Sequence, residues 1–572
     1  MSEGAIYNVR KITDLKDMLQ QSEKLYSNNT AFLIRENDGN YRRITYGHFK
    51  NDVDALGTAF IDMGLKDKFI AVIGENRYEW CLTYLATVNG TGVIVPLDKE
   101  LPSHEIENLI VRSEASAIVF SGKYSSAMTQ LKQSLTTVKY FICMDEIEQN
   151  DGFLYLNNII SKGYELIQKG DRRFLDAKVN PEEMNMLLFT SGTTDLAKGV
   201  MLSHRNICSN MMATCSVLYI TSSDVFLSIL PLHHTYECTN GFLIMIYNGC
   251  TIAFNDNLKN LPRNLAEVRP TILMVVPLIL EGIYKKIWQN ASKNIAVKHI
   301  FKIGLNVCEF TYYALGLDFR KKLCKKVHEF FGGRIRLVIS GAAALDPSVV
   351  KGFRAMGVRV IQGYGLTECS PIVCVATDKA SKDDSVGLPL PGTQVRIENP
   401  NSEGIGEIVV KSPSVMIGYF KNTLATEKVI KDGWFYTGDL GRIDEQGFCY
   451  ITGRKKNVIV TKNGKNIYPE EVEAYLNKSP YILESMVYGK TDDEDEIIVS
   501  AQIVPDVQAI KNKFSLANEP SMDIIFNLIN EEVKNVNKLM PSYKRIKDFN
   551  IRMEEFAKTT TKKIKRYVEK IS

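Results

Sequence analysis

The chain contains 572 residues, which is more than one hydrophobic core usually serves, so we expect at least two domains. With 45% hydrophobic and 24% charged residues, the composition is that of a globular protein rather than a disordered or fibrous one. The 70 basic and 66 acidic residues give a net charge of +4, a balance that argues against nucleic acid as a partner.

The sequence leads us to expect neither a secretory signal nor a transmembrane segment. The N-terminal stretch MSEGAIYNVRKITDL has no apolar segment of the kind found in secretory signals. The longest apolar stretches, such as residues 271–280, reach about half the length of a bilayer span, so no transmembrane segment is expected. The 11 cysteines include no C-x-x-C pair and no zinc-binding cluster, which favours free thiols in a reducing compartment. We therefore expect a cytoplasmic protein.

From residue 69 onward, apolar strand-like runs alternate with helical runs. The first of these are strand-like 69–74, helical 80–88, strand-like 92–97, helical 105–112 and strand-like 117–120. Further strand-like runs follow at residues 186–190, 225–230, 271–276, 335–340 and 358–361. This alternation predicts an α/β fold with mostly parallel sheets.

The character of the chain changes towards its C-terminal end. From about residue 394, short strands separated by turns indicate a β-rich section. After residue 454 a smaller α+β unit is expected, with strand-like 458–461, a helix opening at Pro469, strand-like 497–504 and an amphipathic helix over 522–536. We therefore expect a large N-terminal domain at 1–455 and a small C-terminal domain at 456–572.

The first motif with chemical meaning is a polar loop that follows the strand-like run ending at residue 190. It contains Thr190, Ser191, Gly192, Thr193, Thr194 and Lys198. Backbone N–H groups, hydroxyls and one cation can together surround an oxyanion. The loop lacks the G-x-x-x-x-G-K-[ST] pattern of a Walker A loop. Taken alone, it is equally well explained as a polar turn between two strands.

The second motif is Gln362-Gly363-Tyr364-Gly365-Leu366-Thr367-Glu368, at the end of another strand-like run. Its glycines allow a ligand close to the backbone, the tyrosine ring can stack on a base, and the glutamate can bind Mg²⁺ beside phosphates. An earlier strand ends in small residues that can form the opposite wall of a base pocket, namely Gly341, Ala342 and Ala343. The simpler alternative is a glycine turn beside a tightly packed strand end.

The third motif pairs Asp439, after a glycine turn, with Arg454 in GRKK. An aspartate there can accept hydrogen bonds from two ribose hydroxyls, and the arginine can reach ribose or phosphate. Alternatively, Asp439 is only a turn or capping residue.

In their order and spacing, these segments resemble the core motifs of the adenylate-forming superfamily, which contains acyl-CoA synthetases, luciferases and adenylation domains. The resemblance runs from about residue 25 to the end and is greatest to bacterial long-chain fatty acid–CoA ligases. The stretches that carry it are LPLHHTYE at 230–237, GGRIRLVISGAAAL at 332–345 and GRKKNVIVTKNGKNIYPEEVE at 453–473. It implies a large N-terminal domain of stacked, mostly parallel sheets with helices and a β-rich subdomain, and a small, mobile α+β C-terminal domain.

The resemblance also implies roles for individual residues. The loop from Thr190 to Lys198 would close over the β- and γ-phosphates of ATP, and His234 would lie at the mouth of the acyl pocket. Thr367 would contact the α-phosphate and Glu368 would bind Mg²⁺. The adenosine would be held by the base pocket and the ribose pair, that is by Gln362, Gly363, Tyr364, Gly365, Gly341, Ala342, Ala343, Asp439 and Arg454.

At the C-terminus, FAKTTTKKIKR is by composition a solvated basic tail. It nevertheless resembles the family's final motif, in which one lysine, here Lys563, orients the carboxylate and the α-phosphate. Lys456 matches the hinge position, and Gly464 matches a residue lining the pantetheine tunnel. The chain departs from the family pattern at Asp195, Ala197, Asn457 and Lys562, but none of these changes removes a group with an implied chemical role.

The implied reaction is the ATP-dependent activation of a medium- or long-chain fatty acid as an acyl-adenylate and its transfer to CoA, releasing AMP and pyrophosphate. The same residues would also serve transfer to a carrier protein's phosphopantetheine, or activation of an aryl acid. A catalytically silent nucleotide-binding homologue is an alternative of another class. The acyl pocket is expected around residues 236–245, 274–280 and 342–345. The basic stretch 320–326 is either a solvated helix face or a weak peripheral contact with a membrane.

Overall fold

The computed structural model describes residues 4–147, 152–190, 197–291, 295–460, 465–491, 497–559, 563–566 and 568–569. The chain divides into two compact units, the first formed by residues 1–394 and 410–435 and the second by residues 395–409 and 436–572. The division at 455 and 456 expected from the sequence stays a prediction.

One sheet of the first unit has a parallel centre and antiparallel edges. In spatial order its strands are Leu388–Pro389, Ile372–Val375, Val360–Gly365, Leu337–Ser340, Ile272–Val275, Val225–Ser228, Thr251–Phe254, Thr30–Arg35 and Tyr41–Thr45. All neighbours from Val360–Gly365 to Thr30–Arg35 run parallel. The remaining strands at both ends pair antiparallel.

The other sheet of the first unit is built in the same way. In spatial order its strands are Gly418–Tyr419, Lys198–Ser203, Met184–Thr190, Val93–Pro96, Phe69–Ile73, Ala115–Phe120, Tyr140–Cys143 and Leu154–Tyr155. From Met184–Thr190 onward the neighbours are parallel. The first two strands are antiparallel additions at the edge. A separate short strand, Ile430–Lys431, pairs with Trp434 and Phe435.

One helix contacts both sheets of the first unit. The Tyr78 ring packs edge-on at 5.3 Å against Phe32 of the first sheet, and the Tyr84 hydroxyl lies 4.0 Å from the sulfur of Met186 in the second. A helix covered on both sides must be apolar around its circumference, and this one is buried along almost its whole length. The helices of this unit are Leu15–Tyr26, Tyr46–Asp62, Tyr78–Val88, Ser103–Ser113, Ser125–Leu131, Leu156–Gln168, His204–Cys215, Ile244–Tyr247, Leu261–Val268, Pro277–Ala291, Ile295–Leu315, Arg320–Leu323, Lys325–Phe330, Pro347–Ala355 and Thr423–Val429.

The second unit combines β-sheets with a few helices. Its strands are Gln394–Glu398, Gly406–Lys411, Trp434–Ile443 and Cys449–Arg454 in one sheet, Ile459–Val460 with Asn466–Ile467 in a small pair, and Ile482–Thr491, Ile497–Pro505 and Asp548–Ile551 in another sheet. The helices Pro469–Leu476, Val507–Lys513 and Met522–Lys538 complete it. Val472, Ile503 and Ile529 belong to the buried core of this unit.

The α/β class and the mostly parallel sheets predicted from the sequence are confirmed, because each strand-like run named between residues 69 and 361 coincides with a strand within a few residues of its expected limits. The run expected at 69–74, for example, is the strand Phe69–Ile73, and the run at 186–190 is Met184–Thr190. Among the described residues, no helix combines the length and the apolar character that a bilayer span requires.

Candidate functional site

The hydroxyl-rich loop is placed by a hairpin at the edge of the second sheet. Thr190 ends one strand and Lys198 begins the next, and the two residues are direct antiparallel partners. The Thr190 hydroxyl donates a 3.4 Å hydrogen bond to the Lys198 carbonyl. Both ends of the predicted phosphate loop are therefore fixed by strand pairing. Its central residues lie outside the described residues, namely Ser191, Gly192, Thr193 and Thr194.

Tyr419 joins this hairpin to the Thr367–Glu368 motif. The strand Gly418–Tyr419 pairs with Lys198–Ser203, which brings the tyrosine beside the loop. The Lys198 ammonium lies 4.9 Å from the centroid of the Tyr419 ring, and the Tyr419 hydroxyl donates a 3.0 Å hydrogen bond to Oε1 of Glu368. Two motifs that are about 170 residues apart in the chain are thus linked through one side chain.

The His234 segment reaches the same place from the first sheet. The Thr235 hydroxyl donates a 3.5 Å hydrogen bond to the Thr367 hydroxyl, so the residue after His234 touches the predicted α-phosphate contact. The imidazole rings of His234 and His233 lie 4.2 Å apart. Burial, and then the nearby Lys99 cation, lower the pKa of His233 to about 3. His233 is therefore neutral at neutral pH, and its 3.5 Å contact with Asp98 is not an ion pair.

The residues predicted to form a base pocket lie where two parallel strands end side by side. Ser340 and Gln362 are register partners. The buried Gln362 amide accepts a 3.2 Å hydrogen bond from the Leu345 N–H and donates one of 2.7 Å to the Asp383 carbonyl. Its side chain therefore holds the loop that follows Ser340, in addition to any contact it makes with a ligand.

At several positions around this pocket, a larger side chain would clash with neighbouring atoms. A Cβ on Gly341 would lie 2.9 Å from the Tyr236 ring, and one on Gly365 would lie 2.1 Å from the Pro371 carbonyl oxygen. Ala342 has a φ of +72°, a left-handed conformation that costs energy for a residue other than glycine and is concentrated at ligand sites. Gly363 and Tyr364 are half-exposed, and Ala343 is exposed, so a ligand has access to them.

A π-helix, Tyr236–Leu243, follows His234 and forms one wall of an apolar cavity. The Tyr236 hydroxyl donates a 3.2 Å hydrogen bond to the Ile339 carbonyl, which fixes the ring between this helix and the base pocket. The cavity is narrow and partly open to solvent, and it is lined by Thr214, Leu218, Ile220, Tyr236, Asn240, Ile244, Met245, Met274, Ile339, Ile372 and Val375. It coincides with part of the region expected for the acyl pocket.

A fully buried acid, Glu237, lies behind this cavity. It accepts a 2.5 Å hydrogen bond from the Ser228 hydroxyl. Burial raises the pKa of Glu237 to about 8, although the Ser228 and Ile229 hydrogen bonds oppose the shift. The carboxyl is therefore largely protonated at neutral pH and acts as part of the packing of the π-helix.

In the second unit, Asp439 and Arg454 face each other across a strand pair. The Arg454 Nε lies 2.6 Å from Oδ1 of Asp439, and the carboxylate is almost completely buried. The antiparallel register therefore brings together the two residues that were expected to contact the ribose, and the ribose-binding role stays a prediction.

Two lysines of the second unit are electrostatically coupled to this pair. Burial and then the Arg454 cation lower the pKa of Lys563, while Asp439 opposes the shift. The Lys563 side chain is exposed and is repelled by the Arg454 charge. Burial, followed by Arg454 and Arg566, lowers the pKa of Lys456, which is also exposed. Gly464 lies outside the described residues.

The ligand atoms available in the first unit suit a magnesium ion that is also bound by phosphate oxygens. Mg²⁺ prefers oxygen ligands and keeps several waters, so one or two carboxylates suffice when phosphate oxygens complete the shell. Glu368 supplies such a carboxylate, held by Tyr419 beside the phosphate hairpin. Among the described residues there is no group of three or more His, Cys, Asp or Glu side chains that could hold a metal without phosphate.

Sequence reasoning assigned no role to Tyr419 or Thr235 and expected Tyr236 only at the acyl pocket, although these residues make the contacts that join the motifs. Tyr419 lies in the short segment Gly418-Tyr419-Phe420, which has no recognisable pattern by itself. Its importance depends on strand pairing with residues about 220 positions earlier, which only a folded structure shows. Thr235 and Tyr236 directly follow His234, and their proximity to the assigned histidine was the available signal.

Comparison with known proteins gives concordant matches. A family model described as AMP-binding enzyme matches residues 19–420, and one described as AMP-binding enzyme C-terminal domain matches residues 456–570. Fatty acyl-CoA synthetase A of Dictyostelium discoideum is 30% identical, over 85% of this chain and 75% of that protein. Long-chain-fatty-acid–CoA ligase FadD15 of Mycobacterium bovis is 28% identical, over 93% of this chain and 91% of that protein.

The fold also matches a solved structure. The anthranilate CoA ligase AuaEII in complex with anthranoyl-AMP superposes with a TM-score of 0.76 at 19% identity, covering 97% of this chain and 96% of that one. At this identity the match concerns the fold alone. It extends over both units of the chain.

Proposed function

Because the chain belongs to the AMP-binding enzyme family, as its motifs predicted, we propose that it is an acyl-CoA synthetase that activates a fatty acid of medium or long chain with ATP. The acid would first become an acyl-adenylate with release of pyrophosphate. The acyl group would then pass to the thiol of CoA with release of AMP. The observation that carries this proposal is the convergence of Lys198, Glu368 and Thr367 around Tyr419 and Thr235.

In the first half-reaction, a carboxylate oxygen of the acid attacks the α-phosphorus of ATP in line. The bond from that phosphorus to the bridging oxygen breaks, and pyrophosphate leaves with the electron pair. Thr190, Lys198 and the loop between them, with Ser191, Gly192, Thr193 and Thr194, would bind the departing phosphates, and the pairing of Thr190 with Lys198 supports this assignment. The Thr367 hydroxyl can donate to an α-phosphate oxygen. A magnesium ion held by Glu368 would neutralise phosphate charge when bound.

The adenosine would be held by residues of the second and third motifs. The base would stack on Tyr364 between Gly363 and Gly365 on one side and Gly341, Ala342 and Ala343 on the other, with Gln362 at its edge. Asp439 would accept hydrogen bonds from the ribose hydroxyls, with its orientation fixed by Arg454. Lys563 would orient the carboxylate and the α-phosphate, as the resemblance to the family implies.

In the second half-reaction, the CoA thiolate attacks the acyl carbon of the mixed anhydride. The bond from that carbon to the phosphate oxygen breaks and AMP leaves. We propose that a C-terminal domain of residues 456–572 rotates about Lys456 between the two half-reactions. Gly464 would then line the passage for the pantetheine arm, where a side chain would obstruct the thiol.

A fatty acid is favoured over other acids for two reasons. The cavity beside Tyr236 has an apolar lining from Leu218, Ile220, Ile244 and Met274. The two relatives described above are named as fatty acyl-CoA synthetase and long-chain fatty acid–CoA ligase. An aryl acid is the second candidate, because the structural neighbour acts on anthranilate.

A reducing compartment such as the cytoplasm is part of the proposal. The 11 cysteines all fall within the described ranges and are buried free thiols. Burial raises the pKa of Cys208 and of Cys238, among others, so these thiols are unreactive packing groups.

A pyrophosphate-release screen tests the proposal directly. Acids from acetate to oleate, together with aromatic acids, would be offered with ATP and magnesium. We expect the fastest release with a fatty acid of medium or long chain. Thioester yield with free CoA, compared with a holo carrier protein, then identifies the acceptor. Failure of every acid to release pyrophosphate would favour the silent homologue.

A further inference from the structure

The segment that carries Lys563 is folded back on itself in the second unit. Lys558 and Ile564 form an antiparallel bridge. Beside it, the Thr559 N–H donates a 2.8 Å hydrogen bond to the Lys563 carbonyl. An antiparallel pair this short is unstable by itself, so other parts of the chain have to hold it in place. We refer to the described residues of this pair and its ends as the lysine segment, namely residues 556–559 and 563–566.

One end of the lysine segment is anchored on Glu484, a residue of the strand Ile482–Thr491. The Glu484 Oε1 accepts a 2.9 Å hydrogen bond from the Phe556 N–H, and its Oε2 lies 2.9 Å from Nζ of Lys558. The two side chains of this ion pair are only 11% and 16% exposed, so the pair is screened less than one on the surface. Ile564 adds packing against a small buried cluster, namely Met486, Tyr488, Val504 and Phe556.

The other end of the lysine segment is anchored through Arg566. Its Nη1 donates a 2.8 Å hydrogen bond to the Val487 carbonyl, and its Nη2 donates to the largely buried carboxylate of Glu473. That carboxylate also accepts a 2.6 Å hydrogen bond from the Val487 N–H. Glu473 belongs to the helix Pro469–Leu476, whereas Val487 belongs to a strand. The fork of donors on one guanidinium therefore ties the lysine segment to two separate elements.

The same helix is bonded to the residue that follows the proposed hinge. Glu470, one turn before Glu473, accepts a 2.6 Å hydrogen bond from the side-chain amide of Asn457. Asn457 comes directly after Lys456 in the chain. Glu470 also lies 4.0 Å from Nη2 of Arg566. Residues three apart on a helix share one face, so a single helix face connects the hinge region with the lysine segment.

We propose that Arg566 and Glu473 are positioning residues for Lys563, because they join the lysine segment to the helix that follows the hinge. A lysine on an unanchored tail would have to be ordered in every catalytic cycle, at a cost in conformational entropy. With the anchor, the lysine and the helix would turn as one body when the domain rotates, since these contacts all lie within residues 457–566. The catalytic consequence rests on the proposed function, whereas the anchoring itself does not.

Arg566→Met in the full chain tests this inference, because methionine keeps an apolar stem and removes both hydrogen bonds of the guanidinium. We expect the backbone amides of residues 556–566 to exchange hydrogen about tenfold faster, measured by mass spectrometry. The kcat for adenylation should fall about tenfold with little change in the KM for ATP, while thioester formation from supplied acyl-adenylate continues. Arg566→Lys keeps a cation for Glu473 and should recover most of the lost kcat.

Lys544→Met is the matched control, because Lys544 pairs at 2.8 Å with Glu471 of the same helix instead of with the lysine segment. It should leave hydrogen exchange in the segment and the kcat for adenylation at their wild-type values. Wild-type hydrogen exchange or wild-type adenylation in Arg566→Met would overturn the inference. Equal loss of both half-reactions together with a lower unfolding midpoint would also overturn it, because Arg566 would then serve only the fold. Faster hydrogen exchange in Arg566→Met, in a protein whose wild type activates no acid, would support the anchoring and contradict the proposed function alone.

Discussion

The hydroxyl of Tyr419 donates a 3.0 Å hydrogen bond to Oε1 of Glu368, while the ring of the same residue faces the ammonium group of Lys198 at 4.9 Å. The side chain therefore holds a proposed metal ligand and a proposed phosphate ligand in one arrangement. A carboxylate fixed by a hydroxyl donor has a defined direction before the nucleotide arrives, which reduces the ordering required on binding.

Tyr419→Phe removes the hydroxyl and keeps the ring, so the contact with Lys198 remains. We expect acid-dependent ATP–pyrophosphate exchange to fall by about tenfold, with a higher magnesium requirement, because Glu368 loses its orienting partner. A titration of exchange rate against magnesium concentration measures both effects. Tyr164→Phe is the matched control, because it removes a 2.6 Å bond to Asp52 between two helices away from the motifs. If both variants lose the same activity, Tyr419 has no special role.

Gly341→Ala should impair nucleotide binding. The added Cβ would lie 2.9 Å from the Tyr236 ring, so either the ring or the base-pocket loop has to move. We expect the KM for ATP to rise several-fold with a smaller change in the unfolding midpoint. Gly282→Ala is the control, since a Cβ there meets nothing within 4 Å and alanine suits a helix. Unchanged KM for ATP in Gly341→Ala would remove this loop from the proposed site.

Lys563→Ala should cripple adenylation, by about 10² to 10³ in kcat if its cation stabilises charge at the reacting phosphate. Thioester formation from supplied acyl-adenylate should continue. Lys565→Ala, two residues away, is the control. Because the Lys563 pKa is lowered, its cationic form is lost at a lower pH than that of an ordinary lysine. Adenylation should therefore decline on the basic side of its pH profile. Wild-type adenylation in Lys563→Ala would contradict the assigned role.

Gly464→Leu should have the opposite effect on the two half-reactions, sparing adenylation and impairing thioester formation. A side chain in the pantetheine passage obstructs the thiol but leaves the adenylate site intact. We expect normal pyrophosphate exchange and strongly reduced thioester formation, measured on the same preparation. An equal loss of both half-reactions would indicate a folding defect instead and would remove the support for this assignment.

Glu237→Gln should alter the pH dependence of stability. The pKa of Glu237 is raised from 4.5 to about 8 by burial, so between these values the folded state binds more protons than the unfolded state. The stability that this carboxyl contributes is complete below the lower value and is lost as the pH rises through the upper one. Wild-type unfolding midpoints should therefore decline across this window more steeply than those of Glu237→Gln. Parallel curves would show that Glu237 does not titrate there.

The sequence predicted the elements whose pattern is local. Runs such as Phe69–Ile73 and Met184–Thr190 are buried strands because their apolar residues are continuous, and the chain itself records that continuity. The pairing of Asp439 with Arg454 also had a local origin, since one hairpin contains both residues. The contacts that join the motifs to one another could not be predicted from any local sequence pattern. Tyr419 meets Glu368 through a strand added at the edge of a sheet, and Gln362 reaches Leu345 and Asp383 through loop packing. Burial of Glu237 likewise depends on neighbours from other segments.

The central claim is that the converging motifs activate a carboxylic acid with ATP. Acid-dependent exchange of labelled pyrophosphate into ATP, followed by CoA-dependent release of AMP, tests it most directly. The account predicts exchange that requires magnesium and a fatty acid and is abolished in Lys198→Ala/Glu368→Gln, with one AMP formed for each acyl-CoA. Exchange that persists in this double variant, or tight ATP binding without exchange for any acid, would contradict it.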